Sequence, residues 1–324
     1  MSDVFVWLMQ GDPAIHWQVM RDLLVTPETR WQAERRRVAS SGWGARLLSL
    51  QEPGGGWGGG LYSPKWVSTT YTLLDLRALG LPGSNAAARR GTRLLLDGML
   101  GDPDSSRFEQ RLVRLDLCIA GMLLSLGSYF GGRDARLEML AAHVLRQQMD
   151  DGGWNCNRTK PRGAVHGSFH TTFNVLDGLQ DYLEPGRSGA RGIRAAQRRA
   201  TEFMLVHRLF RSHRTGRPIH PNFQRFSFPT RWFYDVLRGL DYFQRIEAPR
   251  DPRFADAIEV LRARRRADGT WPLQNRHAGR SHFDMEQAGQ PSRWNTLRAL
   301  RVLDWWDGHP YKQERSGAYP PQGG

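Results

Sequence analysis

Four residues in the 324-residue chain have the chemistry for acid–base catalysis and stand where a cavity could enclose them: Asp116, His170, Asp284 and Glu286. A carboxylic acid surrounded by aromatic side chains has a raised pKa, which is what a general acid at neutral pH requires. Asp116 and His170 stand near the head of the apolar stretches "RLDLCIAGMLLSL" (114–126) and "HTTFNVLDGL" (170–179). Asp284 and Glu286 belong to the polar segment "SHFDMEQAGQPSRW" (281–294), which leads into another such stretch. Arg114, Arg231 and Arg293 occupy comparable heads and are candidates for holding a diphosphate, sulfate or carboxylate through charge-assisted hydrogen bonds. Salt bridges to Asp116, Asp284 and Glu286 are the structural alternative for them.

Aligning the apolar stretches by their leading aromatic residue gives Trp17, Tyr71, Phe173, Trp232 and Trp294, with Leu117 in the remaining copy. Packing between helices is one reading of this set. As a ring it would suit an apolar or cationic species, because aromatic faces stabilise positive charge. One turn further on, Arg21, Asp75, Asp177 and Arg298 recur, which reads as buried ion pairs fixing helix register. For a metal, Cys156-x9-His166-x3-His170 together with Asp151 offers workable ligand types. The sequence requires no cofactor and leaves zinc and magnesium open. Cys118 and Cys156 lie in unrelated sequence contexts and suggest no disulfide, and no Gly-x-Ser-x-Gly elbow is present.

These residues are distributed along a repeat. "QEPGGGWGGG" (51–60), "QQMDDGGWN" (147–155) and "RRRADGTWP" (264–272) share a polar residue, a turn, glycine and tryptophan. Each is followed by a capped apolar stretch, for which Ser68, Thr171 and Ser292 are the expected N-caps. Arg-rich segments of helical period alternate with these stretches. Apolar helices must be buried all round and amphipathic ones on one side, so about six hairpins are expected to form an all-α (α/α)6 toroid around a central cavity. The Gly-rich loops are then corners between outer and inner helices. A phosphate-binding loop is excluded, because no strand precedes the glycines and no Gly-Lys-Ser/Thr follows them.

The three Gly–Trp loops resemble the Gln–Trp repeats of squalene and hopene cyclases, and "DGGWN…FHTTFNVLDGL" is similar to the repeat of protein prenyltransferase β subunits. The resemblance covers about residues 10–306. It implies an α/α barrel and an isoprenoid substrate. It also implies a zinc site for which Asp151, Cys156 and His170 are the nearest equivalents, with His166 close by. The chain departs from the pattern by lacking the Asp-x-Asp-Asp and Asp-Asp-x-x-Asp motifs of terpene chemistry. A terpene cyclase- or prenyltransferase-like enzyme acting on an apolar substrate, which could also be anionic, is the leading expectation. A non-catalytic lipid or small-molecule binder and a carbohydrate-active α/α barrel are the alternatives.

A hydrophobic fraction of 40% and twelve tryptophans argue for a folded chain rather than a disordered one. The net charge of +14 is spread along helix faces rather than gathered in one patch, so no nucleic-acid partner is expected. No signal peptide or membrane-spanning run is read, and two cysteines fit a reducing cytoplasm. The basic, aromatic segment 207–232 is expected to be a lid, a peripheral membrane contact or an irregular corner. One domain is expected over 1–310, with a flexible tail over 311–324. Oligomeric state is left open.

Overall fold

The computed structural model describes residues 3–157, 163–183 and 189–308. The expected tail, 311–324, lies outside the described residues. The chain begins with α1 (Asp3–Leu8) and α2 (Pro13–Gln18), which continues as a π-helical turn (Val19–Leu23). There follow α3 (Glu28–Arg36), α4 (Gly42–Ser49), α5 (Thr69–Leu79), α6 (Ala86–Met99), α7 (Phe108–Arg114), α8 (Leu117–Leu126) and α9 (Ala135–Arg146). The second half holds α10 (Phe169–Tyr182), α11 (Ala190–Val206), α12 (Val236–Arg245), α13 (Ala255–Ala263) and α14 (Arg293–Trp306). The described β-structure is one short antiparallel pair, β1 (Trp271–Pro272) with β2 (Pro291–Ser292), and the fold is all-α.

Burial separates the helices as their patterns require. α8 buries nearly every residue from Leu117 to Leu126, and α14 buries most of its length. α6 and α11 bury a single stripe, such as Ala88, Gly91, Thr92, Leu95 and Leu96 in α6, while α3 buries none. The enclosed helices meet in succession. Trp17 of α2 donates from Nε1 to the Leu79 carbonyl at the end of α5 (2.9 Å), and α5 packs on α8, α8 on α10, α12 on α14, and α14 on α2. Phe173 of α10 meets Tyr242 and Phe243 of α12 edge-on. α8 and α10 approach backbone to backbone. A Cβ on Gly121 would sit 2.3 Å from the Asn174 carbonyl, and one on Gly178 would sit 2.4 Å from that of Gly121. Only glycine permits that approach.

The Gly–Trp loops are three copies of one corner. Trp57, Trp154 and Trp271 are fully buried, and each indole N–H donates to the carbonyl ten residues earlier, on Leu47, Val144 and Leu261 (2.8, 2.7 and 2.8 Å). Each tryptophan's backbone N–H donates to a threonine hydroxyl on the next enclosed helix: Thr69, Thr172 and Thr296. Gly55, Gly152 and Gly269 take φ of +90°, +91° and +82°, the left-handed region that a side chain disfavours. The indole thus ties the end of an outer helix to the start of an inner one. Of the expected caps, Ser292 accepts from Asn295 N–H. Ser68 holds the cap position without a side-chain bond, and in α10 the cap is Ser168, which accepts from Thr171 N–H.

Candidate functional site

A cavity of about 630 Å³ lies among the enclosed helices. Its walls come from α5, α8, α10, α12 and α14, from α2 and the turn after it, and from Arg35 of α3, Gly80, Tyr129 and Phe228–Arg231. The amphipathic stripes that reach it are polar. Arg238, Asp241 and Arg245 follow at i, i+3 and i+7 on α12, Asp177 and Asp181 at i and i+4 on α10, and Arg298 and Arg301 at i and i+3 on α14. Such spacings put each set on one helix face.

Eight arginines and five aspartates line the space, so positive charge exceeds negative by three. Every one of the five carboxylates is ion-paired. Arg231 meets Asp75 (2.5 Å), and both side chains are 8% exposed. Arg238 and Arg245 grip Asp177 (2.8 and 3.0 Å), and Arg77 pairs with Asp181. Arg298 and Arg301 share Asp241 (3.1 and 2.5 Å), and Arg301 and Arg21 also reach Asp22. Burial pushes the Asp177 carboxyl up, but Arg238, Arg245 and Arg77 outweigh it and hold it below the usual carboxylate range. Burial likewise opposes ionisation of Asp241, and Arg301 and Arg298 overcome it. Asp75 is raised by burial, against the pull of Arg231.

The excess charge has identifiable owners. Arg35 bonds neutral groups, the Gly80 carbonyl and the Tyr129 hydroxyl (both 2.8 Å). Arg298 is 4% exposed, and its Nη1 has no hydrogen-bond partner; the same is true of Nε of Arg77. A buried guanidinium N–H without an acceptor is costly, and neither of these two atoms has surface open to the cavity. One side of the lining is aromatic: Phe228 stacks on Trp294 at 4.4 Å, and Trp17 carries Arg21 over its ring at 4.6 Å.

The sequence candidates are dispersed relative to this cavity. Arg231, Trp17 and Trp294 line it. Tyr71 is fully buried against Tyr62 and Trp66 of the loop before α5, and Phe173 against Tyr234 and Tyr242, while Trp232 stacks on Phe233 at 3.9 Å. Asp116 is exposed at the start of α8 and Arg114 is exposed at the end of α7. Arg293 lies over Trp7 and donates to its carbonyl (3.0 Å). Asp284 is exposed and pairs with Arg276 (2.7 Å). Glu286 accepts from Ser292 Oγ and Trp294 N–H at the start of α14, where burial raises its pKa. It caps that helix.

His170 belongs to a separate pocket of about 640 Å³, shared with His220, Phe223, Tyr234 and His277. Its Nδ1 accepts from the Tyr234 backbone N–H (2.8 Å), and burial lowers its pKa to about 4, so the imidazole is neutral. Asp151 accepts from Gly167 N–H (2.7 Å), with His166 Nδ1 3.7 Å away, and Cys156 lies against Cys118 rather than a histidine. Among the described residues, no group of three or more His, Cys, Asp or Glu side chains is arranged to hold a metal. The cavity residues that the sequence reading passed over, Arg35, Arg77, Asp181, Arg238, Asp241, Arg245 and Arg301, lie a turn or more from the aromatic register used to align the repeats. The recurring Arg21, Asp75, Asp177 and Arg298 do line the cavity, though their partners there are mostly these neighbours.

The segment 207–232 packs inward at its end: Phe226 and Phe228 are buried, and Phe228–Arg231 face the cavity. Among the described residues, no single helix is long and apolar enough to cross a membrane. No family model matches the sequence, and no curated protein matches it. Among solved structures, a crystal structure of a protein from Actinoplanes is similar with a TM-score of 0.42 and 16% sequence identity, over 92% of this chain and 90% of that one.

Proposed function

We propose that the protein is an (α/α)6 toroid whose central cavity binds a small organic anion. Support for the toroid comes from the succession of contacts α2–α5–α8–α10–α12–α14–α2 and from the three equivalent corners. The observation that carries the ligand class is the surplus of arginine around the cavity, eight guanidinium groups against five carboxylates. Guanidinium groups suit phosphate and carboxylate because their N–H fork matches two oxygens at once.

Binding is better supported than proton-transfer catalysis. A general acid must carry a proton at neutral pH, whereas Asp177 and Asp241 are held ionised by their arginines, and Asp75, which burial raises, is tied to Arg231. The isoprenoid chemistry implied by the repeat resemblance fits this cavity in one form, a short prenyl diphosphate. Its head would meet the arginines and its chain would lie on Trp17, Phe228 and Trp294, the aromatic part of the lining. A wholly apolar substrate would leave the guanidinium groups desolvated and unpaired. The protein would act in the cytoplasm, where Cys118 and Cys156 stay reduced.

Native mass spectrometry on protein purified without added ligand tests the reading. A retained phosphorylated or carboxylated compound, lost on Arg298→Met substitution, supports it. A retained neutral lipid contradicts it.

A further inference from the structure

The two cysteines, 38 residues apart in sequence, meet in the fold. The backbone N–H of Cys118 donates to Sγ of Cys156 at 3.3 Å. Cys118 is the second residue of α8, so this N–H is one of those that a helix leaves without an internal partner. Thr171 Oγ1, in the first turn of α10, lies 3.3 Å from the same sulfur, and the Cys118 thiol is itself within hydrogen-bonding reach of it. Both cysteines are partly exposed free thiols. Neither takes part in the central cavity.

We propose that Cys156 and Cys118 form a peroxide-reactive dithiol, with Cys156 as the attacking sulfur and Cys118 as the resolving one. Three groups converge on Cys156 Sγ: a backbone N–H, a hydroxyl and a thiol. All three can donate to a thiolate, and the positive end of α8 favours negative charge there. The Cys118 hydrogen bond leads in bringing the Cys156 thiol down to about 6, with help from Thr171 and against burial and Asp116. The same contact and burial push the Cys118 thiol up. Cys156 is therefore the nucleophile of the pair.

The chemistry is a two-electron oxidation with hydrogen peroxide or an alkyl hydroperoxide as oxidant. The Cys156 thiolate attacks one peroxide oxygen, the O–O bond breaks, and the leaving oxygen departs with its electron pair and a proton as water or an alcohol. Cys156 is left as a sulfenic acid. The Cys118 sulfur then attacks the Cys156 sulfur, an S–S bond forms, and the sulfenic oxygen leaves as water with the Cys118 proton. An external thiol would restore both groups by exchange.

Hydrogen peroxide added to the reduced full-length chain, followed by alkylation and intact-mass and peptide mass spectrometry, tests this. The expected product has lost two hydrogens and contains a peptide pair joined through Cys118 and Cys156. In Cys118→Ser, a sulfenic-acid-specific dimedone label should appear on Cys156. In Cys156→Ser, labelling of Cys118 should be slower by about tenfold or more. Serine is nearly isosteric, and far-UV circular dichroism checks that each variant folds. Wild-type protein that resists the cross-link while folded overturns the proposal, as does equal labelling of the two single variants.

Discussion

Arg298 reaches Asp241 through Nε at 3.1 Å and leaves Nη1 buried without a partner. Arg301 also pairs with Asp241 (2.5 Å), so removal of Arg298 does not strand the carboxylate. Arg298→Met should therefore change thermal stability little in the absence of ligand. It should remove most of the stabilisation given by diphosphate, since a charged hydrogen bond worth about 1.5–3 kcal/mol corresponds to roughly 10- to 100-fold in affinity. Melting temperature measured with and without inorganic diphosphate, for both proteins, checks the prediction.

Arg231 and Asp75 give the opposite case. Their pair is isolated and buried on both sides, and removing one partner leaves a charge without compensation. Arg231→Met should cost about 3–5 kcal/mol, whereas replacing both residues by neutral ones of similar volume should recover most of it. Urea unfolding of Arg231→Met and of the Asp75→Asn/Arg231→Met double variant measures the difference. Equal destabilisation of the two would mean that packing, not charge, explains the loss.

Trp154→Phe tests the corner. The substitution deletes the indole N–H that satisfies the Val144 carbonyl and removes part of a fully buried ring. The expected loss is about 1–3 kcal/mol from the stranded carbonyl, with a further cost for the space left behind. Trp57→Phe and Trp271→Phe should behave alike, because the same bond recurs at each. Chemical denaturation of the three variants should give similar losses, and a spread wider than about 2 kcal/mol would show the corners to be energetically unequal.

His170 and His277 make stability depend on pH. Burial lowers each to about 4 in the folded protein, below the ordinary value of 6.5. The unfolded chain then takes up protons first, so the contribution is complete above about pH 6.5 and is lost as pH falls toward 4. For the more buried His170 the loss is on the order of 3 kcal/mol. Denaturant midpoints from pH 7.5 to 4 should fall through this window, and His170→Gln should flatten the profile. A wild-type midpoint constant down to pH 4.5 would contradict the assignment.

The corners were legible in the sequence because their logic is local. Gly55, Gly152 and Gly269 stand two residues before their tryptophans, and that spacing alone reports a left-handed turn feeding a buried indole. The all-α character was legible for the same reason, since Arg-rich amphipathic segments alternate with apolar ones. The cavity was less so. Aligning the copies by aromatic residue picked out Trp17 and Trp294 but also Tyr71, which packs on Tyr62 and Trp66 of the loop before α5, and Phe173, which faces α12. The rotation of each helix about its own axis decides which residue faces inward, and the aromatic register does not report it.

The cavity signal lay elsewhere, in charges placed within otherwise buried helices, such as Asp177 with Asp181 and Arg238 with Asp241 and Arg245. Burying such groups is costly unless they are paired or functional, so their positions carried more information than the aromatic register. Cys118 and Cys156 illustrate the remaining limit. Their contact depends on how α8 sits against the loop after Trp154, which no local pattern encodes.

The most direct test of the anion-binding account is isothermal titration of the purified protein with inorganic diphosphate at low and at physiological salt. The account predicts saturable binding of one diphosphate per chain that weakens as salt rises and is lost when Arg35 and Arg298 are both replaced by methionine. Absence of heat and of thermal stabilisation at millimolar diphosphate, or binding unchanged in that double variant, would contradict it.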